Sequence, residues 1–430
     1  MNDFVRLITL QDANTRVVIL GSSLLGLACG SVGALSVLRK RALVGDAVAH
    51  AALPGVCVAY LVVGNRNFAA FLLGALLFGV LCAAFIAAVR TYTRVKEDAA
   101  TALAIGSFFG LGIALSRMIQ SQPSGNRAGL DSFIFGKAAS MVAADAKLIS
   151  IVCAVVVLAI VLLYKELKLL CFDRDFAQSL GWPVSRLDLV LMGLVAVCTV
   201  VGLPAVGVVL MVSLLVIPAS GARFWTDRLG VMIILSGLIG AIAGVLGTSI
   251  SATAALPTGP MVTLSAASIF AVSFVVAPRR GIVAQVARQR RLRRRVGIQN
   301  VLRAAYEATE QRTDPRATWA SSKSMHAGLR LAMKEGLVLQ ADADRYQLTR
   351  YGVEEAVKVV RAHRLWELFL TDKASVAIDH VDRDADQLEH VLPREVVERL
   401  EAQLRGEGRL PITPGEMDVP GSVHEIGGQP

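Results

Sequence analysis

Charged and aromatic residues are scarce in this chain of 430 residues. Asp, Glu, Lys and Arg together make up 18% of it and aromatic residues 6%, whereas hydrophobic residues make up 54%. The mean hydropathy is +0.57. One soluble globular core does not hold that much apolar surface, so the composition excludes a plain cytosolic enzyme and a disordered tail protein. A membrane protein is the first interpretation.

Cysteine is also rare, and its spacing excludes a disulfide scaffold. The six cysteines stand singly, with no CxxC pair, and all precede the charged C-terminal third of the chain. This pattern is typical of small buried side chains rather than of a zinc or disulfide framework. The cysteines are Cys29, Cys57, Cys82, Cys153, Cys171 and Cys198.

Two enzyme motifs are missing. The one Gly-Lys pair, Gly136–Lys137, is followed by alanine and lacks the upstream glycine of a phosphate-binding loop, so any ATP must be hydrolysed by another subunit. The sequence contains no HExxH, which disfavours an intramembrane metalloprotease. We therefore expect a chain that is not itself an enzyme and binds no nucleotide.

Long apolar runs predict the fold of the first 280 residues. A membrane-spanning helix needs about 20 apolar residues. The stretch 188–220 is apolar throughout but is interrupted by Gly202, Pro204 and Gly207, so it predicts two short crossings or one crossing with a re-entrant half-helix. The other predicted spans are 17–38, 43–63, 68–89, 98–118, 148–164, 229–248 and 260–277.

Basic residues in alternate connections predict the orientation, since short loops rich in Lys and Arg stay in the cytoplasm. Nine crossings with an outside N-terminus fit this alternation, and eight is the other possible number. The connections predicted to lie inside are 39–41, 90–96, 165–186, 223–228 and 279–280, and those predicted to lie outside are 64–67 and 119–137.

Asp46 and His50 are ionisable residues within a predicted crossing. Placing an ionisable side chain at membrane depth costs free energy, so such residues usually mark a functional site. Their i, i+4 spacing places carboxylate and imidazole on one helix face, about 5–6 Å apart. Pro54 lacks an N–H and frees the carbonyl of His50 as a further possible ligand. These donors suit Mn²⁺, Fe²⁺ or Zn²⁺. The alternative is a helix-capping Asp46 with His50 satisfied by a neighbouring helix.

The connection 165–186 is long, charged and predicted to lie inside. Gly181 and Pro183 are typical of a helix end, so the connection is predicted to form a short surface helix to which an ATPase subunit could bind. An ordinary amphipathic loop is the alternative. Its candidate coupling residues are Asp173, Asp175, Leu180 and Gly181.

Five segments, in order, resemble the permease subunits of the zinc/manganese/iron class of ABC importers. The resemblance implies a permease dimer, either homodimer or heterodimer, an extracytoplasmic metal-binding protein and a cytoplasmic ATP-binding subunit. It also implies that Asp46 and His50 contact the transported metal. The segments are Gly45-Asp46-Ala47-xx-His50-Ala51-x-Leu53-Pro54-Gly55, Lys96-Glu97-Asp98-Ala99-Ala100, Leu130-Asp131-Ser132-Phe133-x-Phe135-Gly136, Phe172-Asp173 with Leu180-Gly181-x-Pro183, and 210–219.

A basic run follows the last predicted crossing. Residues 279–295 contain eight arginines and no acidic residue. Directly after a crossing such a run is expected to lie against anionic lipid headgroups. Contact with nucleic acid is the alternative.

Beyond this run the pattern is helix, helix, two strands and helix. Helical periodicity covers 300–310 and 325–335, strand patterns cover 336–339 and 346–349, and a further helix is predicted from Arg350 to about Leu370. This order resembles winged-helix metalloregulators of the diphtheria-toxin-repressor and manganese-repressor type. The segments 363–370 and 385–390 look like that family's dimerisation-domain helices.

Five residues of this region offer metal ligands at helical spacing. Two imidazoles with several carboxylates favour Mn²⁺ or Fe²⁺, and the resemblance implies that these residues are metal ligands. The alternative is an amphipathic helix pair whose charges face water. Residues 297–303 lack the acidic ligand that the family's first helix supplies, and the recognition helix is poorly matched near 319–325, so DNA is not an expected partner. The candidate ligands are His363, Glu367, Asp386, Glu389 and His390.

The sequence thus predicts an all-α polytopic membrane domain of about eight or nine transmembrane helices, followed by a cytoplasmic winged-helix plus helical dimerisation-like α+β domain. The predicted parts are a metal-permease domain (1–280), a basic juxtamembrane linker (281–299), a metalloregulator-like domain (300–405) and a mobile tail (406–430). The expected function is import of divalent metal across a prokaryotic inner membrane, with metal sensing inside the cell. A membrane-tethered transcription regulator is the alternative.

Overall fold

The structure is a computed structural model of the chain, and it divides into two compact units, Met1–Gln285 and Val286–Pro430. The described residues are 13–64, 67–121, 141–310, 323–342, 345–373, 395, 398–399 and 401–403.

The described part of the first unit is helical. Eight of its helices are long and apolar enough to cross a membrane, as the apolar runs predict. The helices are α1 (Ala13–Leu38), α2 (Val44–Val63), α3 (Phe68–Tyr92), α4 (Glu97–Gln120), α5 (Ala143–Leu162), α6 (Tyr164–Phe172), α7 (Arg174–Ser179), α8 (Val184–Val206), α9 (Val208–Arg223), α10 (Leu229–Ala254) and α11 (Thr258–Val276).

The ambiguous stretch 188–220 forms one long helix and one short one. Helix α8 ends at Gly207, whose positive φ of 82° suits glycine, and α9 follows directly. Helix α9 has 16 residues and is about 24 Å long, less than the roughly 30 Å of a hydrocarbon core. It is the one apolar helix among the described residues that is too short for an unaided crossing.

Contacts between helices show which way α9 runs. Gly26 on α1 meets Gly240 on α10, and Ser22 bonds to Thr248, so α1 and α10 are antiparallel. Arg39, just after α1, pairs with Asp188 near the start of α8. The end of α1, the start of α8 and the start of α10 therefore lie at one end of the bundle, and α9 returns the chain to that end.

Glycine pairs allow the central helices to pack backbone against backbone. A Cβ on Gly55 of α2 would lie 2.2 Å from the carbonyl oxygen of Gly74 on α3, and a Cβ on Gly26 would lie 2.2 Å from that of Gly240. Small residues at such crossings are typical of membrane helices, where packing replaces the hydrophobic effect. The crossing at Gly55 and Gly74 holds α2, which carries Asp46 and His50, close against α3.

All six cysteines are free. Five are buried, and Cys171 on α6 is partly buried. Burial raises the pKa of Cys171 to about 11, with Arg39 lowering it and Asp188 raising it.

The second unit has the predicted order of helix, helix, two strands and helix. A core of apolar residues joins α12, α13, the hairpin and α14, including Val301, Leu302, Ala332 and Val338. The strands are antiparallel, with Val338 opposite Leu348. The elements are α12 (Ile282–Glu310), α13 (Lys323–Lys334), β1 (Val338–Asp342), β2 (Arg345–Leu348) and α14 (Arg350–Lys373).

One helix, α12, occupies most of the residues predicted as a basic linker and continues into the predicted winged-helix region. The boundary between those two parts at residue 299 stays a prediction, and the predicted tail 406–430 lies outside the described residues.

Candidate metal sites and coupling surface

Asp46 and His50 lie together in the first two turns of α2. Oδ1 of Asp46 is 3.4 Å from Nε2 of His50, and each side chain is between a quarter and a third exposed. The carboxylate stands in the first turn, where the helix dipole favours negative charge. The two side chains therefore form an accessible pair of donors inside an otherwise apolar helix.

Helix α4 covers one side of this pair. The ring of Phe109 meets the ring of His50 edge to face, with centroids 4.8 Å apart. One turn further along α4, a Cβ on Gly112 would lie 2.8 Å from Cδ of Pro54. The absence of a side chain at Gly112 lets α4 approach α2 closely enough for Phe109 to orient the imidazole.

The spacing of the two donors suits one metal ion. With metal–ligand distances of about 2.1–2.2 Å, atoms 3.4 Å apart subtend an angle of roughly 100–110° at the metal, between octahedral and tetrahedral values. Among the described residues no group of three or more His, Cys, Asp or Glu side chains is placed to hold a metal. Two donors of one chain would occupy only part of the coordination positions of such an ion.

The predicted surface helix of 165–186 is two short helices, α6 and α7. Their buried faces contain Leu167, Leu170 and Ala177. Four large apolar side chains of this region are exposed instead: Phe172, Phe176, Leu180 and Trp182. An exposed apolar patch with charged neighbours is typical of a protein interaction site.

The four candidate coupling residues differ in their roles. Asp173 caps α7, accepting a hydrogen bond of 2.9 Å from the backbone N–H of Phe176. Gly181 has a positive φ of 80° and lies just after the C-terminal end of α7. Asp175 and Leu180 are exposed. Asp173 and Gly181 therefore shape the surface, whereas Asp175 and Leu180 are available to a partner.

The candidate sensor residues are only partly described. His363 lies on α14 and is 3% exposed. Glu367 lies one turn further on α14. Asp386, Glu389 and His390 lie outside the described residues. Their convergence on one metal stays a prediction.

The surroundings of His363 do not suit a metal as they stand. Nη1 of Arg303, on α12, lies 3.2 Å from Nδ1 of His363. A guanidinium only donates, so Nδ1 accepts this hydrogen bond and the neutral ring carries its proton on Nε2. Neither ring nitrogen then offers a lone pair to a metal. His363 can become a ligand only when Arg303 withdraws.

Further charges surround this contact. Arg303 also bonds to Glu307, at 2.9 Å, and Arg364 pairs with Glu310. Burial raises the pKa of Tyr306, with Glu310 raising it further and Arg364 lowering it. The Arg364–Glu310 ion pair and the Arg303–His363 hydrogen bond thus join the facing sides of α12 and α14.

These features define a multi-pass membrane permease with a second, metalloregulator-like unit. Residues 11–277 match the model of the ABC 3 transport family, and residues 349–406 match that of the iron dependent repressor, metal binding and dimerisation domain. The chain belongs to the ABC 3 transport family. Both predicted resemblances are confirmed, and a tethered transcription regulator is not favoured. A permease subunit of this kind is not itself an enzyme.

Curated relatives cover either the whole chain or its membrane part. The manganese transport system membrane protein MntC of Bacillus subtilis (strain 168) is 39% identical over 411 residues, 94% of each chain. The zinc transport system membrane protein TroC of Treponema pallidum (strain Nichols) is 40% identical and covers 66% of this chain and 95% of its own.

A solved structure is similar as well. In PsaBC from Streptococcus pneumoniae in complex with Fab, the matched chain is 31% identical, with a TM-score of 0.57. The match covers 65% of this chain and 97% of that one.

Sequence reasoning missed three neighbours of the candidate sites. Phe109 and Arg303 carry no local signal, because their contacts depend on how α4 and α12 pack. Asp188 has a sequence signal, since it is an acidic residue near the start of an apolar stretch.

Proposed function

We propose that this chain is the permease subunit of an ATP-driven importer of a divalent transition metal, with Mn²⁺ as the first candidate. The pairing of Asp46 with His50, 3.4 Å apart and accessible, carries the proposal. A carboxylate with an imidazole suits Mn²⁺, Fe²⁺ or Zn²⁺. The name of the relative that matches over 94% of both chains points to manganese, and that of TroC keeps zinc as an alternative.

The proposed partners follow from the two ends of the bundle. A cytoplasmic ATP-binding subunit would dock on α6 and α7, whose exposed apolar side chains offer a surface. An extracytoplasmic metal-binding protein would deliver the ion at the opposite end. A second permease, identical or related, would complete the pathway, since two protein donors alone leave most of a metal's coordination positions open.

The second unit is proposed to lie in the cytoplasm and to sense metal. The positive-inside pattern supports this location, because the exposed arginines of residues 288–295 follow the last crossing. These arginines are proposed to contact anionic lipid headgroups, each contributing about 1 kcal/mol near the membrane surface. Metal bound at His363, Glu367, Asp386, Glu389 and His390 would then report the internal concentration and inhibit import.

The transport role is tested by removing the donors on α2. Asp46→Ala and His50→Ala should each abolish uptake of Mn²⁺ into proteoliposomes that contain the complex with its ATPase. Either variant loses one of the two donors, and both side chains are partly exposed, so we expect the fold to tolerate their removal. Co-purification of the ATPase and the thermal stability of the complex should be unchanged.

Asp227→Asn is a matched control. Asp227 is about half exposed and pairs with Arg279 and Arg280 at the surface, far in sequence from α2. This variant should transport normally. Wild-type uptake by a stable Asp46→Ala, His50→Ala double variant would contradict the proposed pathway.

A further inference from the structure

Five charged side chains from four parts of the chain meet at one end of the membrane unit, and none of them belongs to the candidate metal pair. We call them the Asp188 cluster. Its members are Arg39 and Arg41 after α1, Arg90 in the last turn of α3, Glu97 at the start of α4, and Asp188 on α8.

Asp188 is the centre of this cluster. Its carboxylate lies 2.9 Å from Nη2 of Arg39, 3.1 Å from Nη2 of Arg41 and 3.4 Å from Nη2 of Arg90. Glu97 joins the same network, with 2.7 Å to Nε of Arg41 and 3.3 Å to Nη1 of Arg90. Three cations therefore share two anions.

The centre of the cluster is buried. The side chains of Arg41 and Asp188 are 3% and 6% exposed. Ion pairs taken out of water are seldom better for stability than apolar residues of the same size, so stability alone does not account for this cluster. Buried charges that fix one arrangement of the elements around them are the better explanation.

The cluster joins the coupling surface to the helix that carries Asp46 and His50. Nη1 of Arg39 donates a hydrogen bond of 2.9 Å to the carbonyl of Leu170, a buried residue of α6. Arg41 stands in the turn that leads into α2, three residues before its first residue. Two arginines and the carboxylate between them therefore connect α6 to the turn before α2.

We propose that the Asp188 cluster transmits movement of α6 to α2 and so couples nucleotide-driven motion to the metal pair. The cluster residues are positioning residues, since none contacts the metal donors. When the ATPase displaces α6, Arg39 shifts relative to Asp188, and Arg41 shifts with it at the base of α2. This proposal rests on the proposed function, because it requires that an ATPase docks on α6 and α7.

The test is the ratio of Mn²⁺ transported to ATP hydrolysed by the full complex in proteoliposomes. Arg39→Met removes the link to α6 and leaves two arginines with two carboxylates, a balanced set that is expected to fold. Asp188→Asn removes the shared anion while keeping its size. Both should lower the ratio at least tenfold. ATPase co-purification and Mn²⁺ binding at Asp46 and His50, measured by calorimetry, should remain.

Asp227→Asn, which breaks exposed ion pairs instead of buried ones, should keep the wild-type ratio. A wild-type ratio in Arg39→Met and Asp188→Asn overturns the proposal. Loss of Mn²⁺ binding in both variants also overturns it, because the cluster would then only support the fold. If uptake survives removal of Asp46 and His50 but the ratio still falls in Arg39→Met, the proposed pathway fails and the coupling role stands.

Discussion

The hydrogen bond from Arg303 to His363 is expected to oppose metal binding in the second unit. Arg303→Leu frees Nδ1 of His363, and a lost hydrogen bond from a charged donor is worth about 1.5–3 kcal/mol. Mn²⁺ should therefore bind this unit about tenfold or more tightly. The measurement is calorimetry on the full chain with Asp46→Ala and His50→Ala, so that only the second unit binds.

Arg350→Ala is the control for this prediction, since Arg350 lies at the exposed start of α14. Its Mn²⁺ affinity should equal that of the parent chain. An unchanged affinity in Arg303→Leu would show that His363 is not a ligand, or that breaking its hydrogen bond with Arg303 costs no free energy.

Single residues were predictable where a short-range rule applies. Asp46 and His50 were found because ionisable side chains are expensive in an apolar run and i, i+4 spacing fixes their common face. Arg303 was not found, because its partner stands 60 residues later in the chain and the pair forms only when α12 packs on α14. The arginines at 39 and 41 were used only as orientation signals, whereas the structure places them in a buried cluster.

At the scale of elements, the exposed side of α7 is expected to bind the ATPase. Phe176→Ala with Asp175→Arg removes an exposed aromatic ring and reverses an exposed charge without touching the buried Ala177. Co-purification of the ATPase should fall at least fivefold, and Mn²⁺ binding at Asp46 and His50 should persist. Pull-down of the tagged permease measures the first and calorimetry the second.

Asp173→Ala tests whether ATPase binding depends on the conformation of α7 as well as on its exposed side chains. Asp173 caps α7, so its loss should cost about 1 kcal/mol of local helix stability. A smaller decrease in ATPase binding is expected than for the paired change at 175 and 176. Equal binding by all variants and the wild type would exclude α7 from the interface.

The sequence predicts helices well where the length of an apolar run sets their bounds, and poorly where the backbone bends within such a run. Eight long helices follow from runs of about 20 apolar residues. The stretch 188–220 stayed ambiguous, because Gly202, Pro204 and Gly207 are all potential breaks. The structure breaks the helix only at Gly207, where φ is positive, and keeps Pro204 inside α8.

For the whole molecule, the second unit is expected to inhibit import when internal Mn²⁺ rises. To shift a transporter from 1:99 to 99:1 the ion must favour one state by about 5.5 kcal/mol, which several ligands bridging separate helices can supply. The rate of Mn²⁺ uptake by proteoliposomes with the full-length complex should therefore fall as the internal Mn²⁺ concentration is raised. A version that ends at Arg295 should keep its rate.

His363→Ala in the full chain is the matched control, because it removes one proposed ligand and keeps the unit in place. It should respond to internal Mn²⁺ more weakly than the wild type. Identical titration curves for all three proteins would exclude metal sensing by this unit.

The two-part organisation of the molecule was readable from composition, since an apolar part precedes a charged one. How the five proposed sensor ligands meet was not readable, because helical spacing relates residues within one helix and says nothing about the approach of another. The match of residues 349–406 to a metal-binding and dimerisation domain supports the type of unit and leaves the identity of its ligands open.

The placement of the cysteines makes the native thiols slow to react with thiol-directed labels. Five thiols are buried, and burial raises the pKa of Cys171 to about 11, which keeps it in the thiol form at neutral pH. Thiol-directed labels react with the thiolate. A cysteine introduced at an exposed position of α7 or α14 is therefore modified far ahead of the native ones, and distances between spin labels can be followed during transport without first removing any natural residue.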